Sequence, residues 1–358
     1  MPGIILYVSG HGYGHATRSL ALAEALRRLR PSLPLHVRTQ APHWIFTEEL
    51  PGLGCSSAQV DVGMLQANGL DIDLRASLEA HERFGSGWDA AIEREASFLK
   101  SMDASLVVSD IPALPFAAAA AVGVPCFGAS NFAWDWIVEP YAADEPRWGP
   151  VRERYARAYA RAEGFFRLPF AGDFRPPVPS VDVPLVVRRA RLSREEVRGA
   201  LGISDSRPVV VVSFGGFGGG DYSLAREDLS AFRFIGFSPK PRGLGASWLE
   251  LPRHSPIRHV DLAAACDALV SKPGFGTAAE CIAHGTRLLY VPREGFRETP
   301  ALVEGIRTWA VSRPFPRADF EAGRWRAHLE ALLAEPIRAP GLRLDGAEEL
   351  ARLLMERL

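Results

Sequence analysis

Cysteine is scarce in this sequence, and neither sign of charge predominates. The 358 residues include only four cysteines, which form no C-x-x-C motif and no Cys/His cluster with zinc spacing. We therefore expect buried, reduced thiols and no metal site. The 41 lysine and arginine residues nearly balance the 42 aspartate and glutamate residues, for a net charge of -1. This balance argues against nucleic acid or an anionic membrane as the main partner.

Long apolar runs are also absent. No stretch approaches the ~20 apolar residues of a membrane span, and the N-terminal MPG leads directly into a predicted strand. A basic segment followed by an apolar one, as in a secretory signal, is missing there. We therefore expect a cytoplasmic protein with no transmembrane segment.

Two common nucleotide-binding motifs are missing as well. No G-x-x-x-x-G-K-[ST] loop occurs, so an ATP-dependent phosphotransferase of that type is not expected. In a G-x-G-x-x-G motif counted from Gly10, the last position is His15 rather than glycine. The second predicted strand ends in Arg38, Thr39 and Gln40 instead of an acid for a ribose diol, which disfavours a dinucleotide fold.

The sequence does contain an alternation of short apolar strands and amphipathic helices. IILYVS (4–9), a helical pattern over 15–29 and LPLHVRT (33–39) form the βαβ order of a parallel sheet. A second such series begins with PVVVVSFGGFGGGD (208–221). We therefore predict an α/β protein with two doubly wound, Rossmann-like domains that face one another across a cleft. The predicted parts are an N-terminal domain (1–173), a proline-rich linker (174–184), a C-terminal domain (185–345) and a final helix (346–358) that packs back on the N-terminal domain.

The first strand runs into the glycine loop GHGYGH (10–15). Its glycines leave His15 at the start of a helix, where the positive helix end favours neutral imidazole, the form that accepts a proton. Alternatively, His11 and His15 only satisfy loop carbonyl groups. Two histidines in a glycine turn at the carboxyl end of a strand favour a functional site.

Two further glycine turns lie in the C-terminal half. The loop 215–220 is costly in backbone entropy, which indicates close approach of a ligand or of the facing domain rather than a plain surface turn. In SKPGFGTAAECIAHG (271–285), Thr277 starts a helix whose N–H groups suit a diphosphate. Glu280, one turn later, is placed to accept both hydroxyls of a ribose. Its alternative role is a favourable interaction with the helix dipole.

These motifs resemble those of a known family. Residues 271–302 resemble the donor-site signature of GT-B glycosyltransferases, and residues 10–15 resemble their N-terminal glycine loop ending in histidine. The chain resembles more closely the glycosyltransferase-like N-terminal region of L-arabinokinases and their stand-alone bacterial relatives. The matching stretches are 7–18, 106–125, 131–137, 182–203 and 272–300. The galactokinase-like kinase half of arabinokinase is missing, so sugar phosphorylation is not expected.

The resemblance implies a GT-B fold whose C-terminal domain holds a nucleoside-diphosphate sugar, with uridine as the base, as co-substrate. It implies no cofactor and no metal. Glu280 would bind the ribose, Gly276 and Thr277 the diphosphate, and the segment at His259 the base. The complete implied donor site is Gly216, His259, Val260, Lys272, Gly274, Gly276, Thr277, Glu280, Arg293, Glu294 and Glu298.

The same resemblance places the acceptor and the chemistry on the N-terminal domain. The base of an inverting transfer would be His15 or Asp110, or Asp110 would orient the histidine. Alternatively, Asp110 is a turn residue and Trp134 a packing residue. The acceptor, a small molecule, a glycan or a lipid-linked sugar, would face His11, Gly12, Tyr13, Asn131, Trp134 and Asp135.

Two other functions fit the same architecture. A nucleotide-sugar 2-epimerase needs carboxylates near the sugar, which Glu294 and Glu298 would supply. A non-catalytic nucleotide-sugar-binding protein would bind the same ligand without transferring it. Product analysis separates the alternatives, because an epimerase needs no acceptor.

Overall fold

The structure is a computed structural model that describes residues 3–215, 227–237, 247–252 and 254–358. Gly216, predicted in the donor site, lies outside the described residues. The described residues form two parallel β-sheets, one in each half of the chain, with helices between the strands. This arrangement agrees with the predicted alternation of strands and helices.

The N-terminal sheet has seven strands, in the order β3-β2-β1-β4-β5-β6-β7. Val8 at the end of β1 pairs with Thr39 of β2 and Asp110 of β4, so the strand order reverses at β1. A reversal of this kind opens a crevice at the carboxyl ends of the strands. The strands are β1 (Gly3–Val8), β2 (Leu35–Thr39), β3 (Gly54–Ser57), β4 (Ala104–Asp110), β5 (Cys126–Ser130), β6 (Gly164–Arg167) and β7 (Ser180–Asp182).

The helices of this half cover the sheet. The first of them buries Ala16, Leu20, Ala23 and Leu26, whose spacing of three and four residues forms one apolar face. Burial of this face against the sheet holds the glycine loop at the crevice. The helices are α1 (Tyr13–Leu29), α2 (Trp44–Thr47), α3 (Leu74–Ser86), α4 (Trp88–Ser101), α5 (Leu114–Val122), α6 (Trp134–Val138), α7 (Tyr141–Asp144) and α8 (Trp148–Tyr159).

The C-terminal sheet has six described strands, in the order β10-β9-β8-β11-β12-β13. Its order also reverses, between β8 and β11, so a second crevice opens there. The strands are β8 (Val209–Val212), β9 (Arg233–Gly236), β10 (Trp248–Glu250), β11 (Ala268–Ser271), β12 (Arg287–Tyr290) and β13 (Ser312–Pro314). The helices are α9 (Arg194–Ala200), α10 (His259–Ala265), α11 (Phe275–His284), α12 (Thr299–Trp309), α13 (Arg317–Glu321), α14 (Arg326–Leu333) and α15 (Gly346–Met355).

Helix α15 and the predicted linker connect the two halves of the chain. Helix α15 packs against α1, with Leu350 and Leu354 fully buried. A Cβ at Gly346 would lie 2.1 Å from the carbonyl oxygen of Pro184, so only glycine allows this close approach. Within the predicted linker, β7 pairs with β6 and extends the N-terminal sheet.

The sequence predicts reduced cysteines and no transmembrane segment. All four cysteines are free thiols; Cys126, Cys266 and Cys281 are buried and Cys55 is half-buried. No helix in the described ranges is both long and apolar enough to cross a lipid bilayer.

Candidate active site

A cavity of about 610 Å³ lies between the two domains. It is lined by residues at the carboxyl ends of strands from both sheets, where doubly wound folds place their ligands. Twelve of the predicted site residues line this cavity: His11, Gly12, Tyr13, His15, His259, Lys272, Gly274, Gly276, Thr277, Glu280, Arg293 and Glu298.

The glycine turns of the two domains meet in this cavity. A Cβ built on Gly276 would lie 3.4 Å from Cα of Gly14 and 3.4 Å from Oγ1 of Thr17. The N-cap residues of α1 and α11 are Gly12 and Gly274, which have no side chain to bond the first-turn N–H groups. Both helices therefore present backbone donors and a positive helix end to the same space.

His15 and Asp110 form a buried pair beneath the N-terminal glycine loop. Nδ1 of His15 lies 2.9 Å from Oδ1 of Asp110, which stands at the end of β4. Nη2 of Arg18 also lies 3.0 Å from Nδ1, but it has acceptors in Asp110 Oδ1 and Ser130 Oγ. Because an ionised carboxylate at 2.9 Å requires a donor, we assign the ring proton to Nδ1. Nε2 of His15 is then the basic nitrogen.

Arg18 fixes this pair. Its Nε donates to Oδ2 of Asp110 at 2.6 Å, and its Nη1 and Nη2 donate to Asn131 Oδ1 (2.9 Å) and Ser130 Oγ (2.8 Å). Burial raises the pKa of Asp110, but the charges of Arg18 and His15 outweigh it and bring the pKa to about 2. Asp110 is therefore ionised and a weak base, which suits it to orient the imidazole. The sequence did not single out Arg18, although a spacing of three residues places it on the His15 face of α1.

The network continues into the C-terminal domain. Asn131 Nδ2 donates to Oε1 of Glu298 at 2.6 Å, and the guanidinium of Arg18 lies 4.7 Å from the ring centre of Phe275. Asn131 therefore links Arg18 to Glu298 and does not itself line the cavity.

Besides Asn131, five other predicted residues lie beneath or outside the cavity wall instead of on it. Trp134 is fully buried, and its indole N–H donates to Oδ2 of Asp61 at 3.1 Å, so it packs as the alternative interpretation expected. Asp135 is half-buried on α6, Val260 is buried in α10, and Glu294 is exposed on the loop after β12. Asp110 lies beneath His15.

Glu280 and His259, predicted to bind ribose and base, contact each other. Nδ1 of His259 lies 2.7 Å from Oε2 of Glu280, and Nη2 of Arg188 donates to Oε1 at 3.0 Å. Burial raises the pKa of Glu280, while the charges of His259 and Arg188 lower it more, to about 2. Glu280 is thus an ionised acceptor at the cavity surface. A carboxylate has more lone pairs than these two contacts use.

Lys272, Arg293 and His11 lie on the other side of the cavity. Lys272 Nζ donates to Oε1 of Gln66 at 3.0 Å, and burial, with the charge of Arg293, lowers its pKa to about 7. Nδ1 of His11 accepts the backbone N–H of Met64 at 3.1 Å, and burial lowers the pKa of His11 far below its usual range. His11 is therefore neutral, and its Nδ1 satisfies a loop amide.

Glu49, which the sequence analysis also missed, connects the domains at the cavity rim. Its carboxylate lies 3.2 Å from Nη1 of Arg191, 3.4 Å from Nη1 of Arg258 and 3.9 Å from Nη1 of Arg188. No sequence signal links these residues, because 139 or more positions separate Glu49 from each arginine. Among the residues that the structure describes, no cluster of His, Cys, Asp and Glu could hold a metal ion.

Comparisons with known proteins bear on this architecture. No protein-family model matches the chain. A curated relative, the L-arabinokinase of Arabidopsis thaliana, is 33% identical over 362 residues, which cover 98% of this chain and 34% of that protein. The chain thus spans about a third of the length of this relative.

Solved structures of glycosyltransferases share the fold. The glycotransferase of kitacinnamycin aligns with a TM-score of 0.63 at 16% identity, over 100% of this chain and 99% of that one. Phytolacca americana UGT2, solved with UDP-2fluoro-glucose and pterostilbene, aligns with a TM-score of 0.60 at 14% identity, over 100% and 94%. VinC, solved with DTDP, aligns with a TM-score of 0.54 at 17% identity, over 99% of this chain and 94% of that one. The chain therefore has the GT-B fold, as its sequence predicted.

Proposed function

We propose that this protein transfers a glycosyl group from a nucleoside-diphosphate sugar, with uridine as the base, to an acceptor hydroxyl, with inversion and without a metal. The observation that carries the proposal is the meeting of the α11 N-terminus and the His15–Asp110 pair in one cavity between the domains. The GT-B fold and the nucleotides bound by UGT2 and VinC support it. The acceptor is a small molecule, a glycan or a lipid-linked sugar.

The donor would lie along the C-terminal side of the cavity. The N–H groups of Gly276 and Thr277, at the start of α11, face a diphosphate, and the positive helix end favours its charge. Lys272 at the end of β11 adds a cation when protonated. Glu280 would accept the ribose hydroxyls with the lone pairs that His259 and Arg188 leave available.

The transfer itself would be a single displacement. Nε2 of His15 removes the acceptor proton as the acceptor oxygen bonds to the anomeric carbon, and the bond from that carbon to the diphosphate oxygen breaks. The ionised Asp110 stabilises the imidazolium that forms. The amides of α11 stabilise the charge on the departing diphosphate, so these donors replace a metal ion.

Calorimetry and a turnover assay on the full chain test this function. We expect UDP to bind at millimolar affinity or better and Glu280→Ala to lose that binding. His15→Ala should keep UDP affinity but lower acceptor-dependent UDP release by about 10²- to 10⁴-fold, the usual contribution of a general base. His254→Ala, an exposed histidine at the same rim, is the matched control. No binding of any nucleoside diphosphate would contradict the proposal.

The geometry weakens the epimerase alternative. Of the two carboxylates that it would use, Glu294 is exposed and away from the cavity wall, and Glu298 accepts a hydrogen bond from Asn131. A non-catalytic binding protein is distinguished by the assay above, because UDP affinity would persist while no acceptor supported UDP release.

A further inference from the structure

Arg293 is a buried cation on the cavity wall, and two of its nitrogens have no hydrogen-bond partner among the residues that the structure describes. It follows β12, is 9% exposed and lines the cavity. A guanidinium has five N–H donors. In the described ranges no residue accepts a hydrogen bond from the enclosed Nε and Nη2 atoms of Arg293. The best geometry for a guanidinium is a planar, bidentate contact with a carboxylate or a phosphate.

The surrounding charges do not neutralise this cation. Glu298 exerts the strongest carboxylate attraction on Arg293, but its Oε1 is bonded to Asn131. Asp71 also attracts Arg293 and is itself paired with Arg317. Lys272 lies close enough that the charge of Arg293 lowers its pKa. Lys272 and Arg293 therefore lie near each other on the cavity wall, and the two carboxylates that attract Arg293 already have other hydrogen-bond partners.

The loop that carries Arg293 is fixed before any ligand arrives. The guanidinium lies 4.5 Å from the ring centre of Phe296. Tyr141 on α7 donates to the carbonyl of Gly295 at 2.5 Å, and Arg297 donates to the carbonyl of Trp136 at 2.8 Å. Because a buried unpaired charge is unfavourable, a fold that holds one rigidly does so at the expense of stability.

A chain of rings connects this cation to His15. The ring centre of Phe296 is 6.3 Å from that of Phe132, which is 5.7 Å from that of His15. Phe296 also stacks on His11 of the N-terminal glycine loop, at 6.4 Å. Arg293 thus lies on the side of the cavity where acceptor and transferred sugar would meet, whereas the α11 amides are the site for the diphosphate.

We propose that Arg293 forms a subsite for a second anionic group, a carboxylate or a phosphate, carried by a substrate in addition to the donor diphosphate. This inference rests on the proposed function for the identity of the two substrates. The anion is either a uronate carboxylate on the donor sugar or an acidic group on the acceptor. Both sources would be recognised by the same guanidinium.

Calorimetry on the full chain separates the two sources. In the donor arm, UDP-glucuronic acid is compared with UDP-glucose, which has a neutral hydroxymethyl group in place of the carboxylate. In the acceptor arm, glucose 6-phosphate is compared with glucose on the UDP-saturated protein. We expect the anionic member of one pair to bind at least about tenfold more tightly, the usual discrimination of a charge-assisted hydrogen bond.

Arg293→Met tests whether Arg293 binds the anion, because methionine keeps apolar contact with Phe296 and removes the charge. We expect the discrimination to disappear while UDP affinity changes less than about threefold, and the melting temperature of the ligand-free protein to rise. Arg293→Lys, which keeps the charge without the planar fork, should retain part of the discrimination. Arg313→Gln removes an equal charge from an exposed pair with Glu335 and should change neither measurement.

Two results would overturn the subsite. One is equal affinity for the charged and neutral members of both pairs in the unaltered protein. The other is an Arg293→Met variant that loses UDP affinity as strongly as affinity for the charged ligand, since Arg293 would then serve the diphosphate. If UDP did not bind, but glucose 6-phosphate bound more tightly than glucose to the protein without UDP, the proposed function would fail and the anion subsite would stand.

Discussion

Replacing Asp110 with asparagine tests the buried network at the centre of the site. Asparagine has the shape of aspartate but no charge, so Arg18 and His15 lose the carboxylate that both contact. The carboxylate pKa falls from 3.8 to about 2, which corresponds to about 2 kcal/mol at about 1.36 kcal/mol per pKa unit. We therefore expect Asp110→Asn to lower the free energy of unfolding by about 2 kcal/mol at pH 7.

The pH dependence of this loss has a definite sign. The pKa of Asp110 is lower in the folded than in the unfolded chain, so its contribution is present above about pH 4 and is lost as the pH falls through about 2. By the same relation, about half of it remains at pH 3. The stability difference between the unaltered protein and Asp110→Asn should therefore shrink in acid.

Urea unfolding at pH 7, 5 and 3, followed by tryptophan fluorescence, measures this difference. Asp61→Asn is the matched control, because Asp61 is equally buried but burial raises its pKa. That substitution should be neutral or stabilising at pH 7. A loss below about 0.5 kcal/mol for Asp110→Asn, or a loss that does not shrink in acid, would refute the charge assignment.

Three further predictions concern other parts of the cavity. Lys272 has a pKa of about 7, so its protonated fraction falls about tenfold from pH 6 to pH 8, and UDP affinity should fall by the same factor. In calorimetry, the UDP affinity of Lys272→Met should depend less on pH. Trp134→Phe removes the hydrogen bond to Asp61 and should destabilise the protein by about 1–2 kcal/mol in urea unfolding, with UDP affinity unchanged. Glu49→Gln weakens the contacts of Glu49 with three arginines of the C-terminal domain. Small-angle scattering should therefore show a larger radius of gyration. An unchanged radius of gyration would contradict the role assigned to Glu49.

The fold could be predicted because its signals are local. A buried strand, a glycine turn and an amphipathic helix follow one another within about 30 residues, and this order alone favours a parallel sheet. Strand β7 carries no such signal. All three of its residues are exposed at the sheet edge, and the prolines around it indicated a linker.

The site could be predicted only in part. His15 and Thr277 stand at strand-to-helix turns, where position along the chain is enough to place them. Arg18 and Arg188 each bind a carboxylate 92 residues away, a pairing that a single sequence does not reveal. Trp134 was assigned to the acceptor side by resemblance, because the sequence does not show which way the indole faces.

The close approach of Gly14 and Gly276 explains why the two domains place their chemistry in one cavity. A Cβ on Gly276 would lie 3.4 Å from Cα of Gly14, and a Cβ on Gly14 would lie 3.8 Å from the backbone nitrogen of Gly276, so the two helix starts are already within van der Waals distance of each other. With both turns bare, the amides of α11 and the imidazole of His15 face the same volume. The two histidines of the glycine loop therefore have different roles. One histidine satisfies a backbone amide, and the other is held by Asp110 opposite the anion-binding end of the second domain.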